Sequence, residues 1–246
     1  MISREIYLVF SNISSIFMKK INCYIIGGTI MKKYLLVLLL FTSFMVKPVY
    51  ALEKTEVNNG YVMEESKYSE FDNESERIIK RMEKTMQVLP ITENIDYNFI
   101  NEMIALHTEE IQLSTIIQGY TDNPEVLEYA NDLLSAENGE LREMRIIKKD
   151  LAKDMNKPTK GNEAYVKEFN SLLKGRFNNL YAYERYEDPA KNYLNIMNLN
   201  NEADIALANT YLKYSDNEVV KKVAENIINV KKEQISKAKE LLAGIK

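Results

Sequence analysis

The stretch YTDNPEVLEYANDLL at residues 120–134 returns, 94 positions later, as YSDNEVVKKVAENII at residues 214–228. The two segments share Tyr, Asp, Asn, Val and Ala at equivalent positions. The correspondence continues upstream without a gap, where Asn98, Met103 and Leu113 fall on identical residues. A repeat of this length predicts one folding unit made twice, whose two copies bury similar apolar faces against each other.

The chain beyond residue 70 has the apolar spacing of helices. Glycine and proline are scarce there, and no stretch alternates with period two for long enough to predict a strand. Pro90 and the segment MNKPTKG at residues 155–161 interrupt the helical pattern. At the TDNPEV turn, Asp122 or Asn123 is expected to cap a helix that begins at Pro124. Helices are predicted near residues 74–89, 97–119, 124–153, 163–186, 189–213 and 217–243.

These elements predict an all-α fold made of two equivalent halves. The first repeat covers residues 71–153 and the second covers residues 160–246, each as one helix followed by an αα-hairpin. Hairpins that carry similar apolar faces bury them most completely by packing together. We therefore expect an antiparallel four-helix bundle in which both repeats form a single domain.

The N-terminal part of the chain reads as a targeting segment. Residues 31–51, MKKYLLVLLLFTSFMVKPVYA, combine two lysines, a short apolar run and an A-x-A-like cleavage site, as in a secretory signal peptide. An uncleaved N-terminal anchor is the alternative, although the apolar run is short for a membrane span. A signal peptide belongs at the start of a chain, so we interpret residues 1–30 as an extension from a misassigned start codon. Residues 52–70 are polar and are expected to form a flexible leader.

Composition excludes several classes of function. The only cysteine, Cys23, precedes the signal peptide, so the mature chain is predicted to have no disulfide, thiolate metal site or cysteine nucleophile. The formal net charge is −4, and the six basic residues before residue 52 make the mature part more acidic still. Such a chain attracts cations and is a poor nucleic-acid binder. Since no motif for a nucleophile triad or a phosphate loop is present, we expect a protein that is not an enzyme.

Two segments carry a family resemblance. The sequences DYNFINEMIALHTEEIQLS at residues 96–114 and TDNPEVLEYANDLLSAENGELREM at residues 121–144 resemble the family called domain of unknown function 305. The family pattern runs D-x-x-F, then M-I-P-H-H-Q, a turn, and Q-x-x-E-I-x-x-M. The resemblance spans residues 78–152 and returns weakly at residues 172–243. It implies a secreted or periplasmic bacterial protein with a ferritin-like fold, and some members bind copper through the His pair and nearby Met residues.

This chain departs from the family pattern at the His pair. The first His of the family falls on Leu106 and the second falls on His107, which is the single histidine of the chain. In the second repeat the pair falls on Asn200 and Asn201. A soft copper site rich in His and Met therefore cannot be assembled as in the family. The remaining candidate metal ligands are His107, Glu110, Glu137, Glu140, Met103 and Met144.

Helical spacing groups four of these candidates. His107 and Glu110 are three residues apart and share a helix face, and Glu137 and Glu140 share a face of the next helix. Hairpin packing is expected to bring the four side chains together in the core. One imidazole and three carboxylates suit a single divalent ion such as Zn²⁺, Mn²⁺ or Fe²⁺, with copper as the family alternative. The second repeat offers no matching set, so a two-metal site is not expected.

Two alternatives to metal binding remain open. A lone histidine on an apolar face is commonly a packed, hydrogen-bonded core residue. Lys231 stands 94 positions after Glu137, so its ammonium group is predicted to neutralise Glu137 or Glu140 inside the core. The sequence thus supports two functions: extracytoplasmic handling of a metal ion, or a metal-free module that binds a protein partner at the cell envelope.

Overall fold

The computed structural model describes residues 67–245, and this part of the chain is all-α, as predicted. The expected extension, signal peptide and nearly all of the leader lie outside the described residues. A 3₁₀ turn at Ile117–Gly119 extends the helix that ends at Ile116. The helices are α1 (Lys67–Val88), α2 (Ile95–Ile116), α3 (Pro124–Leu151), α4 (Asn162–Ala182), α5 (Pro189–Tyr214) and α6 (Glu218–Gly244).

Two helix boundaries differ from the sequence prediction by four residues or more. Helix α1 begins at Lys67, seven residues earlier than expected, because Phe71 is fully buried and adds another turn to the apolar face of Ile78 and Met82. Helix α4 ends at Ala182, four residues earlier than expected. Burial of an apolar face stabilises a helix beyond its local sequence preferences, which explains the longer α1.

The two hairpin turns are capped in the same way. The Asn123 side chain accepts hydrogen bonds from two backbone N–H groups at the start of α3, and Asn217 does the same for α6. Of the two capping candidates in the first turn, Asn123 is therefore the cap. Thr121 and Ser215 add a matching bond, because each hydroxyl accepts the backbone N–H of its capping asparagine at 3.2 Å. Side-chain caps satisfy N–H groups that the helix itself cannot pair.

A buried asparagine near the start of each hairpin repeats a second set of hydrogen bonds. Asn98 accepts the backbone N–H of Thr92 at 2.8 Å and donates to its carbonyl at 2.9 Å. Asn192 makes the same pair of bonds with Tyr186, at 2.7 and 2.8 Å. The interactions at the entrances of α2 and α5 thus recur at positions 94 apart.

The helices pack so that each hairpin contacts the other. Helix α2 packs along α3 and α5 packs along α6, while α2 also contacts α5 and α3 contacts α6. Helices α1 and α4 lie against α2 and α5, respectively. Phe99 of α2 stacks on Tyr211 of α5, with ring centroids 4.3 Å apart. Within residues 67–245, no helix combines the length and apolar character needed to cross a membrane.

Candidate metal centre and buried ionic cluster

Charged side chains occupy the middle of this helical core. They come from five helices, and all but Glu140 have completely buried side chains. Because apolar residues of the same helices surround them, an unpaired charge here would be costly. We call this set the buried ionic cluster: His107, Glu109, Glu110, Glu137, Glu140, Arg176, Asp204 and Lys231.

Three of the sequence candidates meet at one end of the cluster. His107 Nδ1 lies 2.6 Å from Glu137 Oε2 and 3.2 Å from Glu140 Oε2. The ligand atoms of these residues all lie within 4.8 Å of one another. These separations correspond to two ion pairs, and none of the three atoms has a further bond within the described part of the chain. We call these three side chains the His107 centre.

The charges of the His107 centre depend on its neighbours. Burial alone would lower the pKa of His107, but the carboxylates of Glu137 and Glu140 outweigh it and raise the pKa to about 10. Burial alone would raise the pKa of Glu137, but His107 and Lys231 hold it well below its usual range. At neutral pH the centre therefore contains an imidazolium and a carboxylate. A metal ion that binds here must displace the imidazole proton.

Lys231 provides a second cation beside the centre. Its ammonium group donates to Glu137 Oε1 at 2.6 Å and to Glu110, and it lies 3.6 Å from Asp204 Oδ2. The predicted contact between Lys231 and Glu137 is confirmed, whereas Glu110 is a partner that the sequence did not suggest. Glu140 instead accepts a hydrogen bond from Asn226 at 3.0 Å.

Arg176 of α4 provides a third cation, which sequence reasoning missed. One guanidinium nitrogen donates to Asp204 Oδ1 at 2.9 Å, and another donates to Glu109 Oε2 at 3.0 Å. Arg176 also lies 3.8 Å from Glu110 Oε1. A signal was available, because Arg176 lies on the buried face of α4 and stands 94 positions after the buried Met82. A charged residue among apolar residues on one helix face indicates that its partner lies inside the core.

The carboxylates beside Arg176 and Lys231 bind protons more readily than exposed ones. Burial raises the pKa of Glu109 to about 7, although Arg176 opposes that rise. Burial and the charge of Asp204 also raise the pKa of Glu110, against the opposing effect of Lys231. Proton uptake by these groups lowers the negative charge that the internal cations must balance.

The other sequence candidates are held by different contacts. Glu110 is held by Lys231 and Arg176 rather than by the His107 centre. Met103 and Met144 are fully buried members of the hydrophobic core. In the second repeat, Asn200 is fully buried, and its amide has no hydrogen-bond partner among the described residues. The structure thus brings together His107, Glu137 and Glu140 from the predicted set.

A comparison with known protein families gives a match. The model of the family described as "Domain of unknown function (DUF305)" matches residues 96–242, which is more than half of the chain. Among solved structures, a DUF305 fragment from Deinococcus radiodurans is similar, with 15% sequence identity and a TM-score of 0.47. That similarity covers 63% of this chain and 100% of the fragment. Among curated proteins, none matches the chain significantly.

Proposed function

The chain belongs to the DUF305 family, and on this premise we propose that it binds one divalent metal ion at the His107 centre, outside the cytoplasm. The proposal includes secretion directed by residues 31–51, and a ferritin-like four-helix bundle of two repeated hairpins. The recurring asparagine bonds at Asn98 and Asn192 support the repeat. The contacts of α2 with α5 and of α3 with α6 support the bundle.

One observation carries the metal proposal. His107 Nδ1, Glu137 Oε2 and Glu140 Oε2 converge from two helices, and beyond their own ion pairs none of them bonds another described residue. The imidazole proton is therefore their only shared partner, and an ion that displaces this proton can take its place. A metal ion satisfies all three, since its ligands are an imidazole nitrogen and carboxylate oxygens.

The donor atoms restrict the identity of the ion. One nitrogen and two oxygens suit Zn²⁺, Mn²⁺ or Fe²⁺ better than Cu⁺, which prefers thioether and thiolate sulfur. Copper remains the family-based alternative, with Met103 and Met144 as its additional ligands. The role that fits this centre is binding or handling of the ion without catalysis, because the side chains of His107 and Glu137 are completely buried and leave a substrate little access.

The test is the metal content of the purified protein. Wild type, His107→Ala and the matched control Asn201→Ala, at the equivalent position of the second repeat, are incubated with zinc, manganese, iron or copper and then desalted. Mass spectrometry should find a stoichiometric ion in wild type and in Asn201→Ala, but none in His107→Ala. Metal-free wild type with full helicity would refute the proposal.

A second candidate function rests on the internal cations. Lys231 and Arg176 already pair with carboxylates of the buried ionic cluster, so the core has substantial charge compensation without a metal ion. On this alternative the protein is a metal-free module that binds an envelope protein through its helix faces. Metal-free wild type, together with a specific protein cross-linked to it in intact cells, would favour this function.

A further inference from the structure

The ammonium group of Lys231 lies in a cage of carboxylates. Its partners come from three different helices, α2, α3 and α5, and Lys231 itself comes from α6. All four side chains are completely buried. A cation therefore occupies the place where the two hairpins face each other. The three carboxylates that form the cage belong to Glu110, Glu137 and Asp204.

We propose that this cage is a second cation position, distinct from the His107 centre, and that the Lys231 ammonium is its resident cation. The core consequently accepts no more than one ion from outside. When the ammonium group is removed, the cage becomes a binding site for a hard divalent cation such as Mn²⁺. This inference goes beyond the proposed function, because it holds whether or not the His107 centre binds an ion.

Two oxygen atoms around the cage can accept further bonds. Asp204 Oδ2 lies 3.6 Å from Lys231 Nζ and has no hydrogen bond with any described residue. The amide of Gln234, one turn after Lys231, donates to Glu137 Oε1 at 3.3 Å, while its own oxygen has no partner in that part of the chain. Buried oxygens without donors are the ligands that hard divalent cations prefer.

Arg176 holds the cage in position from the other side. It binds Asp204 through Oδ1, which leaves Oδ2 directed toward Lys231. It also binds Glu109, the neighbour of Glu110 on α2. Two of the three helices that supply carboxylates are thus tied to α4, so the cage oxygens are expected to keep their positions when the lysine side chain is shortened.

Glu137 connects the two cation positions. Its Oε1 accepts a hydrogen bond from Lys231, and its Oε2 lies beside His107. A lysine side chain is a compact positive charge with three donors, which matches three surrounding carboxylates. A tethered ammonium also needs no uptake from solution. The second position is therefore filled as soon as the chain folds.

The experiment removes Lys231 in a background without the imidazole ligand. Full-length His107→Ala and His107→Ala/Lys231→Ala are titrated with Mn²⁺, and bound ion is measured by electron paramagnetic resonance. The double variant should gain a bound Mn²⁺, and its unfolding temperature should rise with Mn²⁺ concentration. His107→Ala alone should show neither change.

Two further variants identify the site. Lys231→Met in the same background removes the charge but keeps the space filled, so it should bind no Mn²⁺. Adding Asp204→Asn to the double variant should abolish the gain. Absence of Mn²⁺ binding by the double variant would overturn the inference, and so would equal binding by the Met variant. A double variant that stays unfolded with and without Mn²⁺ would also overturn it, because the cage would then not accept a replacement cation.

Discussion

Replacement of Lys231 by methionine should destabilise the fold strongly. Methionine has nearly the length of lysine and fills the same space, so the change removes the charge and leaves little cavity. Glu110, Glu137 and Asp204 would lose their shared cation while remaining fully buried. Glu137 would keep only His107 as a cationic partner, since His107 and Lys231 together hold its pKa well below its usual range.

The size of the destabilisation follows from the burial of the charged groups around Lys231. Breaking a fully buried ion pair by removing one partner costs about 3–5 kcal/mol, because the remaining charge stays in the core without compensation. For a domain of 150–250 residues, each kcal/mol lowers the unfolding temperature by about 2–4 °C. The unfolding temperature of Lys231→Met is therefore expected to fall by about 6–20 °C. Proton uptake by Glu110, whose pKa is already raised, places the result toward the lower end.

The assay is urea unfolding followed by circular dichroism, with Lys232→Met as the matched control. Lys232 neighbours Lys231 on α6 but is exposed, so its replacement should change the free energy of unfolding by less than about 0.5 kcal/mol. If Lys231→Met were as mild as this control, the ammonium would not compensate the buried carboxylates. The reasoning about the buried ionic cluster would then be refuted.

Two further predictions concern buried polar groups away from the cluster. Burial raises the pKa of Glu102 to about 8 despite a hydrogen bond from Tyr165, so the folded state holds a proton that the unfolded chain has lost. This contribution to stability is complete at a pH below the pKa that Glu102 has in the unfolded chain. It disappears as the pH rises through the pKa in the folded state, about 8. Between pH 5 and pH 8, the free energy of unfolding measured with urea should therefore fall less for Glu102→Gln than for wild type. Equal decreases would contradict the assignment. Asn98→Ala and Asn192→Ala should each lower the free energy of unfolding by about 1–3 kcal/mol, because each removes a buried side chain that bonds two backbone groups near the start of its hairpin; a large cost for only one of them would argue against equivalent roles.

The helices were largely predictable because helix formation follows local sequence. Apolar spacing, the breaks at Pro90 and MNKPTKG, and the capping asparagines located all six helices of residues 67–245. The early start of α1 was missed because residues 67–73 are mostly polar. Phe71 is buried there by packing against other helices, including an edge-on contact with Tyr120. Long-range burial of this kind has no local signature.

The candidate site was only partly predictable. Spacing along single helices grouped His107 with Glu110 and Glu137 with Glu140, and the repeat identified Lys231 as the counterpart of Glu137. Spacing could not show that Glu110 would pair with Lys231 and Arg176, since these contacts join residues on different helices. Arg176 was missed because charged residues on amphipathic helices usually face solvent.

The sequence by itself determined the helical class, the internal repeat of its residues and the presence of ionisable residues on apolar faces. Each of these follows from the order of residues along the chain. Only the tertiary structure decided which charges meet and which carry a proton. Those outcomes depend on distances between helices and on exclusion of water, and both are established when the hairpins pack together. The His107 centre and the carboxylate cage around Lys231 are therefore properties of the packed core.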